Sequence, residues 1–180
     1  KVIPLIPAGK KIYIGGHSKG GNLAIHAACY LEEIYQKRIS KVYDHDGPGF
    51  SYNIYGTEEY ERIVNRVEKT IPRNSLIGIL LNSSLSNAKI IKSNAITGLY
   101  QHDPLRWIID HNGNFVIVQD RSRMSKEIQI AVDELIISLS YEEKKALIRT
   151  IGMWFDNARI KTVKQINKKF FFKNIFSLSQ

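Results

Sequence analysis

The 180-residue chain is long enough for one domain with a substantial core, and its 43% hydrophobic and 24% charged residues are ordinary for a globular protein. The formal net charge of +9 invites a nucleic-acid-binding interpretation, but the sequence contains no nucleic-acid-binding motif and much of the charge lies in one acid-free terminal segment, residues 159–173. A single cysteine, Cys29, excludes an internal disulfide and is typical of a cytoplasmic protein, and no apolar run reaches the roughly 18 residues of a membrane span.

The first half of the chain alternates short apolar runs with helical patterns. Runs of strand length lie at residues 11–14, 39–43, 75–81 and 88–91. After Ser18, apolar residues recur at helical spacing: Leu23, Ala24, Ala27, Ala28, Leu31 and Ile34. Thr57 is a suitable N-cap for a second helix over 57–67. This alternation is typical of an α/β protein with a largely parallel sheet and crossover helices.

The second half becomes helical. Residues 112–114 predict a turn before a short strand at 115–118, and the pattern from Ser125 is helical throughout. Ser140 and Glu143 have the spacing of a capping box that opens a last helix. We therefore expect an α/β core over residues 1–124, a helical extension of the same domain over 125–158, and a basic-aromatic tail over 159–180.

The most informative stretch is "GHSKG", residues 16–20, which fits G-x-S-x-G between a strand-like run and a helix of small residues. Such a turn holds its serine exposed, and we expect a Cβ at Gly16 or Gly20 to collide across so sharp a bend. The N–H of Lys19 would then donate to an oxyanion. A phosphate loop is disfavoured because Lys19 precedes the glycines and Asn22 replaces the required hydroxyl residue. A purely structural turn remains the alternative.

A serine nucleophile needs a histidine base that follows it in the chain, and an acid that orients the base. Two of the five histidines lie far enough downstream, His102 in the loop "YQHDP" and His111 beside an Asn-Gly turn. We favour His102, because His111 has the character of a solvated turn residue. The alternative for His102 is a loop histidine paired with Asp103.

The acid is less certain from sequence. Asp46 follows the second strand and precedes the turn "GPG", which places it at the same sheet edge as the serine. Asp44 shares its side of the strand, and Asp103 adjoins His102, although neighbouring side chains in a loop seldom meet in the required geometry. We select Asp46, whose alternative role is to cap the backbone of its own turn.

Four motifs occur together in an order that resembles one family: "GHSKGGNLAIHAA", "YDHDGPGF", "IPRNSLIGILL" and "YQHDPLRW". This is the order in the Mbeg1-like (DUF2974) proteins, bacterial proteins of the α/β-hydrolase fold that are similar to the class 3 lipases. The later "ISLSYEEKKALIRTI" resembles the helical C-terminal region of that family. The resemblance spans residues 10–155.

The resemblance implies a serine esterase or lipase-like activity on a small-molecule or lipid ester, with no cofactor and no metal. Ser18 matches the elbow serine of the family and His102 matches the histidine of its Q-H-D-P motif. The acid of the related lipases follows the next-to-last strand, where this chain has residues 71–75 and no carboxylate. The resemblance therefore leaves either Asp46 as a relocated acid or a dyad of Ser18 and His102.

Family members also carry an N-terminal portion that supplies earlier strands and a second oxyanion N–H. We expect this chain to be a fragment that lacks both, and the loss of one such donor costs about 10²–10³ in rate. The alternative function is a non-catalytic α/β-hydrolase-like module. In the tail, lysines beside clustered aromatic residues over 159–176 suggest contact with an anionic membrane surface, with a solvated terminal helix as the plainer interpretation.

Overall fold

We analysed a computed structural model that describes residues 2–81, 83–96 and 98–157. The basic-aromatic tail predicted over 159–180, with its proposed membrane contact, lies outside these residues. The chain divides into two compact units, one ending at Glu134 and the other beginning at Leu135. The domain boundaries expected from the sequence stay a prediction.

The first unit contains a four-stranded sheet whose strands are all parallel and follow one another in chain order. The strands are β1 (Ile12–His17), β2 (Ile39–His45), β3 (Val67–Pro72) and β4 (Lys89–Ile91). Because parallel strands run in the same direction, their carboxyl ends meet at one edge of the sheet. The predicted α/β class with a parallel sheet is confirmed, and nothing in the arrangement conflicts with an α/β-hydrolase-like fold.

The first unit also contains the helices α1 (Lys19–Cys29), α2 (Glu33–Gln36), α3 (Glu58–Glu61) and α4 (Gly98–Gln101). The helix α5 (Arg123–Ser138) begins in the first unit, and α6 (Tyr141–Asn157) belongs to the second. In the described part of the chain, short 3₁₀ turns lie at Ile3–Leu5, Ile54–Gly56, Val64–Arg66 and Pro104–Arg106. As predicted, Ser140 and Glu143 form a capping box at the start of α6, with the Ser140 N–H donating to Glu143 Oε2 at 2.8 Å. No helix within the described ranges is long and apolar enough to cross a membrane.

The core lies between α1 and the sheet. It contains Ala24, Ile25, Ala28 and Cys29 of α1. These pack with Ile39, Val42, Phe50, Ile54, Tyr60 and Ile63. The predicted apolar stripe of this helix was partly wrong, because Leu23 is 53% exposed and Ile34, which belongs to α2, is 67% exposed. The buried stripe is rotated by about one residue, so that it includes Ile25 and Cys29 in place of Leu23 and Ala27.

The predicted helix over 57–67 is much shorter than expected. Thr57 is the N-cap as predicted, accepting the Tyr60 N–H at 3.3 Å, but α3 ends at Glu61. Val67 already belongs to β3 and pairs with Val42 of β2. Ile63 is buried in the core and Val64 begins a 3₁₀ turn, so that only Val67, whose branched side chain favours extended backbone, continues into the sheet. The third strand is therefore β3, which ends before the apolar run 75–81. The strand expected at 75–81 was wrong, because these residues form turns and bends.

The turn predicted at 112–114 is present, with Asp110 Oδ1 accepting the N–H groups of Asn112 and Asn114. The expected strand at 115–118 is reduced to isolated antiparallel bridges, Ile109 with Phe115 and Ile91 with Ile117.

Candidate active site

Ser18 lies at the sharp turn between β1 and α1. Its φ of 57° and ψ of −130° are a conformation that non-glycine residues rarely adopt. Such backbone strain costs about 1–3 kcal/mol and is concentrated at functional sites. The turn is held by main-chain bonds from Ser18 N to His45 O at 2.9 Å and from Gly21 N to Ser18 O at 2.9 Å.

The Ser18 hydroxyl is half-buried and does not cap α1, although serine at an N-cap position commonly does so. Among the described residues it has no hydrogen-bond partner. Lys19 is the first residue of α1, so its N–H belongs to the group of helix amides without an intrahelical acceptor. The positive end of the helix dipole reinforces that donor.

The glycines of the turn are crowded, but not as the sequence predicted. A Cβ at Gly16 would lie 2.4 Å from the main-chain carbon of Gly20, so the prediction for Gly16 is confirmed. The prediction for Gly20 was wrong, because a Cβ there would meet nothing within 4 Å. Gly21 is the second tight position, where a Cβ would lie 2.2 Å from Asp44 Oδ1. The crowding at Gly16 therefore comes from across the bend, whereas the crowding at Gly21 comes mainly from the buried carboxylate of Asp44.

Asp46 and His102 form a buried pair at the same edge of the sheet. His102 Nδ1 lies 2.7 Å from Asp46 Oδ2, and the two side chains are 10% and 0% exposed. An ionised carboxylate only accepts, so Nδ1 carries the proton and Nε2 presents its lone pair. That tautomer is the one that a general base requires.

Asp46 is itself held firmly. Its other oxygen, Oδ1, accepts the Ser75 hydroxyl at 2.5 Å and the Gly78 N–H at 3.1 Å. Its main-chain N–H donates to Thr70 O at 2.7 Å, and its φ of 52° is a second non-glycine positive value at this edge. The carboxylate is therefore fully hydrogen-bonded and fixed in orientation.

The other two acids that the sequence left open have different partners. Asp44 Oδ2 lies 2.6 Å from Lys69 Nζ in a buried ion pair, and its Oδ1 accepts the Gly47 N–H at 2.9 Å. Burial raises the pKa of the Asp44 carboxyl, and Lys69 opposes that shift. Asp103 accepts the Leu105 N–H at 3.1 Å and lies near Arg106. Asp46 is thus the carboxylate that the structure places on His102.

Side chains that the sequence analysis did not select hold the main chain around His102. Trp107 Nε1 donates to Gln101 O at 2.7 Å, and His17 Nε2 donates to His102 O at 2.7 Å. The Gln101 side chain donates to Ala95 O and accepts the Asn74 N–H. His17 lies in the motif "GHSKG", and Gln101 and Trp107 lie in "YQHDPLRW". The sequence indicated a chemical role only for the serine and the histidine beside them.

The α1 helix is also tied to the loop that follows Asp46. Asn22 Nδ2 donates to Gly49 O at 2.8 Å, and Lys19 Nζ donates to Asn22 Oδ1 at 2.5 Å. Asn22, which counted against a phosphate loop in the sequence, is therefore a buried link between the serine turn and the aspartate turn. His111 follows Asp110 in the exposed turn and takes no part in this network among the described residues. Within the described ranges, no three His, Cys, Asp or Glu side chains are grouped so as to hold a metal ion.

Comparison with known proteins gives one family. The family model described as Mbeg1-like matches residues 4–153. No curated protein and no solved structure matches the chain.

Proposed function

Because the chain belongs to the Mbeg1-like family, we propose that it supplies the catalytic residues of a serine hydrolase of the esterase or lipase type. Ser18 is the nucleophile, His102 the general base and Asp46 the acid that orients it. The observation that supports this most strongly is the hydrogen bond from His102 Nδ1 to the fully buried Asp46, at the sheet edge where Ser18 occupies a strained turn. A structural turn alone has no need of that pair.

The reaction follows from these positions. His102 Nε2 takes the hydroxyl proton as Ser18 Oγ attacks the carbonyl carbon of an acyl ester, and the carbonyl oxygen becomes an oxyanion that accepts the Lys19 N–H. The proton then passes to the departing alkoxide, leaving an acyl-serine. Water, deprotonated by the same histidine, releases the acid and restores the serine. Asp46 stabilises the imidazolium in both halves without taking its proton.

The substrate class we propose is an acyl ester, soluble or lipid. Contact of residues 159–176 with an anionic membrane is a separate proposal that liposome co-sedimentation tests. Deletion of residues 159–180 should reduce binding to anionic vesicles and leave binding to neutral vesicles unchanged. Unchanged binding to anionic vesicles would rule the anchor out.

The direct test of the activity is hydrolysis of p-nitrophenyl esters of increasing acyl length by the wild-type chain and by Ser18→Ala. We expect turnover by the wild type, loss of turnover in Ser18→Ala, and wild-type rates in Ser51→Ala, which changes an exposed serine distant in sequence from the turn. Equal rates in the wild type and Ser18→Ala would contradict the proposal.

One observation leaves room for a second candidate, a non-catalytic module. Within the described residues, the Ser18 hydroxyl is not hydrogen-bonded to His102. Catalytic hydrogen bonds are often long in ligand-free structures and shorten only with substrate, so this observation is compatible with both functions. The ester series decides between them, since a non-catalytic module gives no turnover that depends on Ser18.

A further inference from the structure

His17, the residue before the serine, makes an unusual contact for the last side chain of a strand. Its Nε2 lies 2.7 Å from the main-chain oxygen of His102, 85 positions later in the chain. Since a carbonyl oxygen only accepts, the proton of His17 must be on Nε2. The two imidazole rings also contact each other, with centroids 4.4 Å apart and planes inclined by 35°.

Trp107 packs against His17 and holds the neighbouring main chain. Its ring lies edge-on to His17 at 5.8 Å between centroids, and its Nε1–H donates to Gln101 O at 2.7 Å. The carbonyl groups of Gln101 and His102 thus each accept a hydrogen bond from an aromatic side chain. Trp107 is 7% exposed, so its own position is fixed by packing.

The segment that carries His102 needs such support. It lies between the four-residue helix α4 and a three-residue 3₁₀ turn, and neither element is long enough to hold a side chain by itself. The His102 ring must nevertheless direct Nδ1 to Asp46 and leave Nε2 open toward the serine. A displacement of about 1 Å at such a group costs on the order of 10²-fold in rate.

Resting on the proposed function, we infer that His17 is a positioning residue that sets the separation of nucleophile and base. Two adjacent residues thus have complementary roles. Ser18 supplies the attacking oxygen, and His17 fixes the backbone from which the His102 side chain projects. Because the two residues are adjacent at the end of β1, any movement of the turn moves the serine and the anchor of its base together.

Two variants distinguish the effect of the His17 hydrogen bond from the effect of its ring packing. His17→Phe keeps an aromatic ring against Trp107 and removes the donor, whereas His17→Gln keeps an N–H donor and removes the ring. We expect His17→Phe to lower kcat for a p-nitrophenyl ester by about 10²-fold with KM unchanged, and His17→Gln to recover most of that loss. His26→Phe, which changes an exposed imidazole on α1, is the matched control and should retain the wild-type kcat.

Nitrogen-15 NMR of the wild-type chain tests the same inference without relying on catalysis or on the folding of a variant. We expect neutral His17 to be protonated on Nε2 and the Nδ1–H resonance of His102 to lie far downfield. A His17 protonated on Nδ1 would overturn the inference, as would equal kcat values for His17→Phe and the wild type. If the wild type hydrolyses no ester, the proposed function fails by itself, and the two NMR signals still test whether His17 donates to the main chain of His102.

Discussion

Replacement of Asp46 by asparagine perturbs the proposed site with the smallest change in shape. In Asp46→Asn the new amide oxygen can still accept the two bonds that Asp46 Oδ1 accepts, from the Ser75 hydroxyl at 2.5 Å and the Gly78 N–H at 3.1 Å. The amide NH₂ then faces His102 Nδ1 at the position of Oδ2. Two donors cannot share that hydrogen bond, so the imidazole proton must move to Nε2.

The magnitude follows from this tautomer change. A His102 with its proton on Nε2 cannot accept the Ser18 proton, and the corresponding change in serine protease triads lowers kcat by about 10⁴-fold. At 1.36 kcal/mol for each factor of ten, this is about 5 kcal/mol of transition-state stabilisation. Folding should lose less, about 1–3 kcal/mol, because one buried charge-assisted hydrogen bond is replaced and the other two remain.

The assay is kcat/KM for a p-nitrophenyl ester, with the free energy of unfolding measured in urea on the same samples. Asp103→Asn is the matched control, because it changes the carboxylate next to His102 whose partners are the Leu105 N–H and Arg106. We expect that control to keep kcat/KM within about threefold of the wild type. A folded Asp46→Asn variant that retains more than a tenth of the wild-type kcat/KM would refute the assignment of Asp46 as the acid.

Three further predictions concern stability, each measured by urea unfolding. Gly21→Ala should destabilise the fold by about 1–3 kcal/mol, because its Cβ would meet Asp44. Gly20→Ala, whose Cβ meets nothing, should be neutral or stabilising by up to about 1 kcal/mol. Equal changes in the free energy of unfolding for the two variants would contradict this. Lys69→Met should cost about 3–5 kcal/mol by leaving Asp44 buried and unpaired, and adding Asp44→Asn should restore most of the loss; no recovery in the double variant would count against it. Burial lowers the pKa of His17 below 6.5, so the unfolded chain binds the proton more readily than the folded chain. The free energy of unfolding should therefore decrease as the pH is lowered through and below 6.5, and it should decrease less in His17→Gln than in the wild type. An equal decrease in both would contradict the lowered pKa of His17.

The parts of the site that the sequence predicted are those with a local pattern. The G-x-S-x-G turn is defined by five consecutive residues, Asp46 follows a predicted strand at the same sheet edge, and His102 lies downstream of the serine, as a triad histidine must. The choice of Asp46 over Asp44 and Asp103 rested on its turn, and only the structure places its carboxylate on His102.

The parts that the sequence did not predict depend on contacts between distant segments. The length of α3 is one such case, because the pairing of Val67 with Val42 outweighs the helical spacing of the residues before it. The role of Gly21 is another, since its constraint is the buried carboxylate of Asp44 on a strand more than twenty positions away. His17 bonds to a carbonyl 85 positions later, and no spacing within the sequence could indicate that contact.

The central claim is that Ser18 is a nucleophile activated by His102. The most direct test is reaction of the wild-type chain with an alkyl fluorophosphonate, followed by intact mass measurement and peptide mapping. The account predicts one covalent adduct, located on Ser18, that is absent in Ser18→Ala and forms far more slowly in a folded His102→Gln variant. An unmodified wild-type chain, or an adduct on another residue that persists in Ser18→Ala, would contradict it.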